Sequence, residues 1–273
     1  MIDPGLVLAW GVPRMRELPW RRERDPWRIL VAEVMLQQTQ VDRVIPKWET
    51  FLDAFPSPKE CAAASLGDVL RLWQGLGYPR RAKHLHATAV EVTTSHSGRI
   101  PDSLGELLAL PGVGPYTARA VLAFAYERDV AVVDTNIARI LARSAGERLT
   151  PKAAQAAADA LVPEGEGWAW NQVIMDLGAL VCRPTPTCDQ CPVSASCAWH
   201  GAGLSDPDPA IGSAGVSTRQ APFDGSDRQR RGRVLAALVS GDRPVTDFDA
   251  RIVDALVVDG LVQRRGDRVL LPE

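Results

Sequence analysis

No stretch of the 273 residues approaches the roughly 20 consecutive apolar residues that a membrane-spanning helix needs. The opening, MIDPGLVLAW, lacks the basic start and long apolar core of a secretory signal, so a cytoplasmic protein with no membrane attachment is expected. An excess of one charge is missing too. Lys and Arg total 31 against 33 Asp and Glu, a net charge of −2. That excludes a globally basic protein, and any contact with nucleic acid needs a local basic surface. Histidine is absent from the densest cysteine cluster, Cys182-x5-Cys188-x2-Cys191-x5-Cys197. Four thiols so close together, in a chain with no export signal, point to a metal site before a disulfide framework. Spacing alone allows tetrahedral zinc or a [4Fe–4S] cluster. Otherwise the composition, 46% hydrophobic and 23% charged, is that of an ordinary globular protein with one large or two smaller domains.

The richest stretch runs from Leu110 to Asp134, LPGVGPYTARAVLAFAYERDVAVVD. Leu-Pro-Gly-Val-Gly is a tight turn between two helical patterns. Ser103–Leu110 opens on a capping Ser, and Tyr116–Tyr126 is rich in Ala and large apolar residues. Gly112 and Gly114 permit backbone geometry that a Cβ would obstruct. Pro115 suits a first helical turn. Unpaired amides there favour a phosphate, so the turn reads as a helix-hairpin-helix clamp on a DNA backbone, or else as a plain connection between helices. Asp134 closes the apolar run Val130–Val133 and opens the amphipathic helix DTNIARILARSAG, where it is also well placed as an N-cap.

Upstream, residues 13–28 mix Arg with Trp20 and Trp27: a solvated lead-in, or a wall of aromatic and guanidinium planes for a base. Residues 27–48 form a near-continuous apolar helix broken by Gln37-Gln38-Thr39-Gln40. Glu33 has mostly apolar neighbours at helical spacing, which favours the protonated state a general acid needs; it could also snorkel to water or pair with an Arg. Gly75, Gly77 and Tyr78 form a turn followed by Arg80, Arg81 and Lys83. Cys61 stands alone among alanines, as a buried small apolar group.

The hairpin followed by an Asp resembles the endonuclease III superfamily of DNA glycosylases. LPWR, AEVMLQQTQV and GLGYPRRAKHLH are similar to its adenine DNA glycosylase (MutY-type) branch, over roughly Leu18 to Cys197. The resemblance implies a mainly α fold. Its two-lobed glycosylase core would span residues 1–200, with a six-helix lobe (25–130) and an iron–sulfur lobe (1–24 with 131–200). It implies Glu33 as proton donor to the adenine and Asp134, with a normal or lowered pKa, as stabiliser of the sugar cation, with Asn136 in support. Trp20, Arg21, Leu36 and Gln172 would face the adenine. Gln38, with Thr39 beside it, and Tyr78 would wedge into the duplex, the nearby cations would hold phosphates, and Gly112 and Gly114 would hold the backbone. The four cysteines would carry a [4Fe–4S] cluster, although the first spacing is one residue shorter than the family's. Bifunctional members place a Lys in the hairpin; Tyr116 stands there, and a phenol forms no imine, so hydrolysis alone is expected. The implied partner is double-stranded DNA with A:8-oxoguanine or A:G mispairs, bound by a monomer. Two alternatives stay open: a glycosylase for another mismatched base, and a non-enzymatic iron–sulfur redox sensor.

Residues 201–227 are rich in Gly, Ser, Pro and Asp and read as a linker. RRGRVLAALVSG and ARIVDALVVDGLV are helical, and VQRRGDRVLLP reads as a hairpin about Gly-Asp, giving a small winged-helix-like module over 228–273. The larger 8-oxoguanine-recognising domain of many relatives does not fit in that length.

Overall fold

The computed structural model describes residues 2–213 and 222–273. In chain order the helices are α1 (Pro4–Gly11), α2 (Pro26–Leu36), α3 (Val41–Ala54), α4 (Pro58–Ala63), α5 (Leu66–Leu72), α6 (Arg80–Ser95), α7 (Leu104–Ala109), α8 (Pro115–Phe124), α9 (Thr135–Ala145), α10 (Pro151–Asp159), α11 (Gly167–Leu180), α12 (Ala198–Gly201), α13 (Asp227–Leu238) and α14 (Ala250–Val258). Three short strands, β1 (Arg243–Pro244), β2 (Gln263–Arg265) and β3 (Arg268–Leu270), form an antiparallel sheet in the order β1-β3-β2. None of the described helices is long and apolar enough to cross a membrane.

The chain divides into two units. One comprises residues 1–24 with 114–219, the other 25–113 with 220–273. The boundary in the hairpin therefore falls at Gly114 and not near residue 130, because α8 buries Ala118, Val121 and Leu122 and packs on α11, within the first unit. The first unit's core is Val7, Ile137, Ile140, Leu141, Trp170, Val173, Ile174 and Leu177. Gly11 lets α1 lie against α11; a Cβ there would come within 2.0 Å of Val173. The N-terminal segment is fastened by charge as well. Asp176, buried on α11, accepts from Arg21 Nη1 (2.7 Å) and Nη2 (2.8 Å) and from Arg16 Nε (2.6 Å).

Part of the expected linker is folded. Asp208 pairs with the buried Arg143 of α9 at 2.6 Å, and Trp199 Nε1 donates to Ser205 O at 2.8 Å. Polar composition suggested a tether; a carboxylate that satisfies a buried guanidinium holds 201–213 to the unit instead. The rest of that stretch up to 221 lies outside the described residues.

In the second unit, the indoles of Trp27 and Trp48 find backbone acceptors at Phe55 O (3.0 Å) and Arg28 O (2.9 Å), as buried Trp N–H groups require. The C-terminal module has the winged-helix order α13-β1-α14-β2-β3, its hairpin turning at Gly266 with φ of 61°. It lies in one compact unit with residues 25–113. Gly67 N donates to Pro272 O at 2.7 Å, Lys83 Nζ to Asp259 O at 2.6 Å, and the Asp259 carboxylate pairs with both Arg80 and Arg231.

Candidate active site

Asp134 stands where extended chain becomes helix. Its Oδ1 accepts from Ile137 N at 2.7 Å, so it is the N-cap of α9, and its Oδ2 accepts from Asn136 Nδ2 at 3.0 Å. The segment leading to it is held from outside. Asn171 Oδ1 accepts from Val132 N (2.8 Å) and its Nδ2 donates to Val130 O (2.9 Å), while Asp159 accepts from Ala131 N (3.3 Å). Arg139, one turn on, donates to Asn136 Oδ1 (2.7 Å), Gly178 O (2.7 Å) and Cys182 O (2.6 Å). The carboxyl of Asp134 is thus fixed through Asn136 and Arg139 to α11 and the start of the cysteine loop. Burial pushes its pKa up, against the pull of the Ile137 amide and Asn136. This corrects the expected normal or lowered value: the hydrogen bonds visible in the sequence pattern are outweighed by desolvation, which the pattern does not show.

Gly178 meets this arrangement directly. A Cβ on it would lie 2.6 Å from the Asn136 Cβ. Gly178→Ala is expected to displace Asn136 and slow any reaction that uses Asp134 by about ten-fold or more, in line with the steep dependence of rate on placement. A single-turnover rate equal to the parent's would show that Asn136 can move without consequence.

Of the other expected base-facing residues in this unit, Trp20 and Gln172 are buried. Arg21 is buried too, but its guanidinium is engaged by Asp176, Arg16 O and Gln172 O, so its role is to anchor the segment carrying Trp20. Asp176 had no sequence signal, since its partners lie 155 and 160 residues away. Tyr116 is half-buried in the first turn of α8.

In the second unit Glu33 is 5% exposed on α2, flanked by the buried Ile29, Leu30 and Val34, and Leu36 closes that helix. Two turns follow from separate parts of the chain. Gln38 (φ 57°) and Tyr78 (φ 48°) both take left-handed backbone, uncommon for such residues and a pointer to function. Arg81 bolts the two turns together. Its guanidinium donates to Val34 O (2.8 Å), Met35 O (2.9 Å), Gln37 O (2.6 Å), Leu76 O (3.0 Å), Gly77 O (3.0 Å) and Thr39 Oγ1 (3.1 Å). It is 9% exposed, and burial pushes its pKa down to about 10. The expectation that Arg81 holds a phosphate is therefore wrong: carbonyls at the end of α2 and in the facing turn, with the Thr39 hydroxyl, engage both terminal nitrogens, and Nε is buried. Arg80 and Lys83, also assigned to phosphates, instead bind Asp259 of the C-terminal module.

At the hairpin the two glycines differ. Gly112 has φ of 73°, and a Cβ there would lie 2.5 Å from the His84 Cβ, so glycine is required twice over. Gly114 is extended and has open space around it, so no steric need explains it. It is the N-cap of α8 and offers no side chain to occupy the first amides of that helix, which leaves them approachable by an anion.

Cys182, Cys188, Cys191 and Cys197 line one small cavity with Val181 and Trp199. Burial pushes up the thiols of Cys182, Cys188 and Cys191, and the neighbouring sulfurs add to this by mutual repulsion. No group of three or more His, Cys, Asp or Glu among the described residues is placed to hold a metal ion as it stands. One cation is aimed at the cavity: Arg143 Nη1 donates to Cys182 Sγ at 3.5 Å.

Comparison with known proteins places these features. Residues 31–164 match the HhH-GPD superfamily of base excision DNA repair proteins. The chain is similar to the adenine DNA glycosylase of Mycobacterium tuberculosis, 42% identical over 97% of this chain and 92% of that one. It is 39% identical to that of Mycolicibacterium smegmatis over 97% and 94%. Among solved structures, a thermostable thymine-DNA glycosylase matches with a TM-score of 0.70 and 30% identity over 73% of this chain and 95% of that one. An endonuclease III trapped as a covalent intermediate with DNA shares the fold, with a TM-score of 0.65 and 21% identity over 75% of this chain and all of that one.

Proposed function

Because the chain belongs to the adenine DNA glycosylase family of helix-hairpin-helix base excision enzymes, we propose that it removes adenine mispaired with 8-oxoguanine, and secondarily with guanine, from double-stranded DNA. The observation that carries the reading is the capped, desolvated carboxyl of Asp134 at the head of α9; Glu33 is a buried carboxyl on α2. A redox sensor needs neither. An adenine inside the stack is unreachable, so it is first turned out of the duplex. Glu33, in its protonated form, donates to N7 and makes adenine a better leaving group. The C–N bond breaks and leaves an oxocarbenium-like sugar. Asp134, ionised, faces that positive charge, and a water completes the hydrolysis. The burial that raises the pKa of Asp134 serves this step: a carboxylate poorly solvated at rest acts on a nearby cation with little screening. Tyr116 cannot form an imine, so the product strand stays intact at the abasic site.

The test is an A:8-oxoguanine duplex incubated with the protein. Cleavage only after alkali, with no adduct trapped by borohydride, is expected. A trapped adduct, or release of thymine from a T:G duplex with adenine untouched, overturns it. The 30% identity to a thymine-DNA glycosylase makes the second substrate the necessary control.

The four cysteines fit a [4Fe–4S] cluster. They line a single cavity, and Arg143 already directs positive charge there. When bound, the cluster would cross-link the 182–197 loop and take no part in the hydrolysis. Protein prepared anaerobically is expected to be brown and to carry about four irons per chain. Stoichiometric zinc without iron would sink this assignment.

A further inference from the structure

The chain beyond the last cysteine folds back on the cysteine cavity. Trp199 and His200 of α12 line that cavity beside the four thiols. α12 packs on α9 where Gly146 (φ 74°) ends it, and a Cβ on Gly146 would lie 3.0 Å from the Ala198 Cβ. Residues 202–213 are then tied back in steps. Leu204 N donates to Trp199 O at 3.0 Å, the Trp199 indole to Ser205 O at 2.8 Å, and Ser213 Oγ to Pro209 O at 2.7 Å. Arg143 of α9, its side chain 2% exposed, joins this segment to the cysteine loop. Nη1 donates to Arg183 O (2.6 Å) and Cys182 Sγ (3.5 Å), and Nη2 to Pro184 O (2.9 Å), so the guanidinium grips the arm between Cys182 and Cys188. Its plane lies over the Trp199 ring at 4.5 Å. From the far side Asp208 accepts from Nη2 at 2.6 Å and from Nε at 3.2 Å, and Ala210 N fixes Asp208 in turn at 2.9 Å. Among the described residues, Asp208 is the carboxylate that pairs with this buried cation.

We infer that Asp208 is a positioning residue for the four-cysteine metal centre: acting through Arg143, it clasps the first arm of the loop to the 198–213 segment and so slows loss of the metal. This rests on the reading of the four cysteines as a metal site. The physical reason is the cost of a buried guanidinium without its anion. Deprived of Asp208, Arg143 turns toward water, and the Arg183 and Pro184 carbonyls and the Trp199 ring lose their common partner. The arm has five residues between its cysteines and little slack, so freeing those carbonyls frees Cys182 and Cys188 to move apart. Groups that hold metal ligands in place govern retention nearly as strongly as the ligands do. The 198–213 segment is then part of the metal site's housing, although it supplies no ligand.

The experiment reads metal loss, not activity. The metal-loaded full chain is mixed with excess EDTA under anaerobic conditions, well below its melting temperature, and the decay of visible absorption is followed. Asp208→Asn is expected to lose iron about ten-fold faster than the parent or more, and Asp208→Glu to recover part of the difference. Trp199→Phe keeps a ring under Arg143 and drops only the bond to Ser205, so about a three-fold acceleration is expected. It also serves should Asp208→Asn fail to fold. Asp176→Asn is the control for general destabilisation, since it breaks a buried carboxylate–guanidinium network elsewhere in the same unit. It should lower the urea midpoint and leave the rate of iron loss within about two-fold of the parent's. Parent-like rates in both Asp208→Asn and Trp199→Phe overturn the inference. Rates that track the urea midpoint alone across the whole series also overturn it. Protein that carries zinc sinks the cluster assignment but not this inference, because the same series, read as zinc transfer to a colorimetric chelator, applies the same criteria. A chain that retains neither metal overturns both.

Discussion

Asp134→Asn is expected to slow adenine release by about a thousand-fold while leaving the protein at least as stable as its parent at neutral pH. The first half follows from the proposed chemistry. An uncharged amide cannot meet the sugar cation, and removal of one preorganised electrostatic group in a desolvated site costs about 10²–10³ in rate. Glu33→Gln should produce a comparable loss through the missing proton. The second half follows from the direction of the pKa shift. Asp134 is raised in the folded state by burial. Its contribution to stability is fully present below the unfolded value, about 3.9, and is lost as pH rises through the higher folded value. At neutral pH the parent therefore carries the cost of a desolvated charge. Asparagine avoids it and still caps Ile137. The advantage in melting temperature of Asp134→Asn should shrink as pH falls toward 4. In single-turnover assays of the parent, the acid limb should lie above the ordinary aspartate range. A variant that melts well below its parent at pH 7 would contradict the electrostatic account, and one that releases adenine normally would remove Asp134 from the chemistry.

Arg81→Met should lower stability by about 3–5 kcal/mol, the cost of breaking a buried charged network from one side. Five carbonyls and the Thr39 hydroxyl lose their donor. Lysine should recover only part of this, having three donors and no planar fork. The urea midpoint checks the prediction, provided the slope of the transition stays constant. Duplex affinity should fall as well, because Gln38 and Tyr78 occupy left-handed backbone that the bolted turns maintain. A midpoint within error of the parent's would mean the turns hold themselves.

Arg81 also marks the limit of what the sequence discloses. The hairpin, the helix begun at Asp134, the cysteine spacing and the winged-helix order were all legible, because each is written in neighbouring residues. A run of Arg80, Arg81 and Lys83 after a Gly turn reads equally as a solvated face or a phosphate clamp. Its partners are backbone carbonyls and Asp259, and carbonyls have no sequence signature. Asp176 and Arg139 escaped notice for the same reason: each acts on groups brought near only by folding. The pKa of Asp134 departs from the sequence expectation because capping is local and burial is not. Gly114 shows the converse, a residue singled out for a steric reason that the structure does not support.

The division of the chain has a consequence for how it is made. Residues 1–24 complete a unit whose other members begin at Gly114, and residues 220–273 complete one that begins at Asp25. Neither unit is a continuous segment, so neither can finish folding as the ribosome releases it in order. Arg16 and Arg21 wait more than 150 residues for Asp176, and the Gly67 amide waits for Pro272 at the far end. Loop-closure entropy opposes both pairings until late, and contacts of such long range slow folding. During that interval the apolar faces of α1 and α5 stand uncovered. Destabilising substitutions at Asp176 or Gly67 should accordingly lower soluble yield at elevated growth temperature more than their effect on the finished protein would suggest.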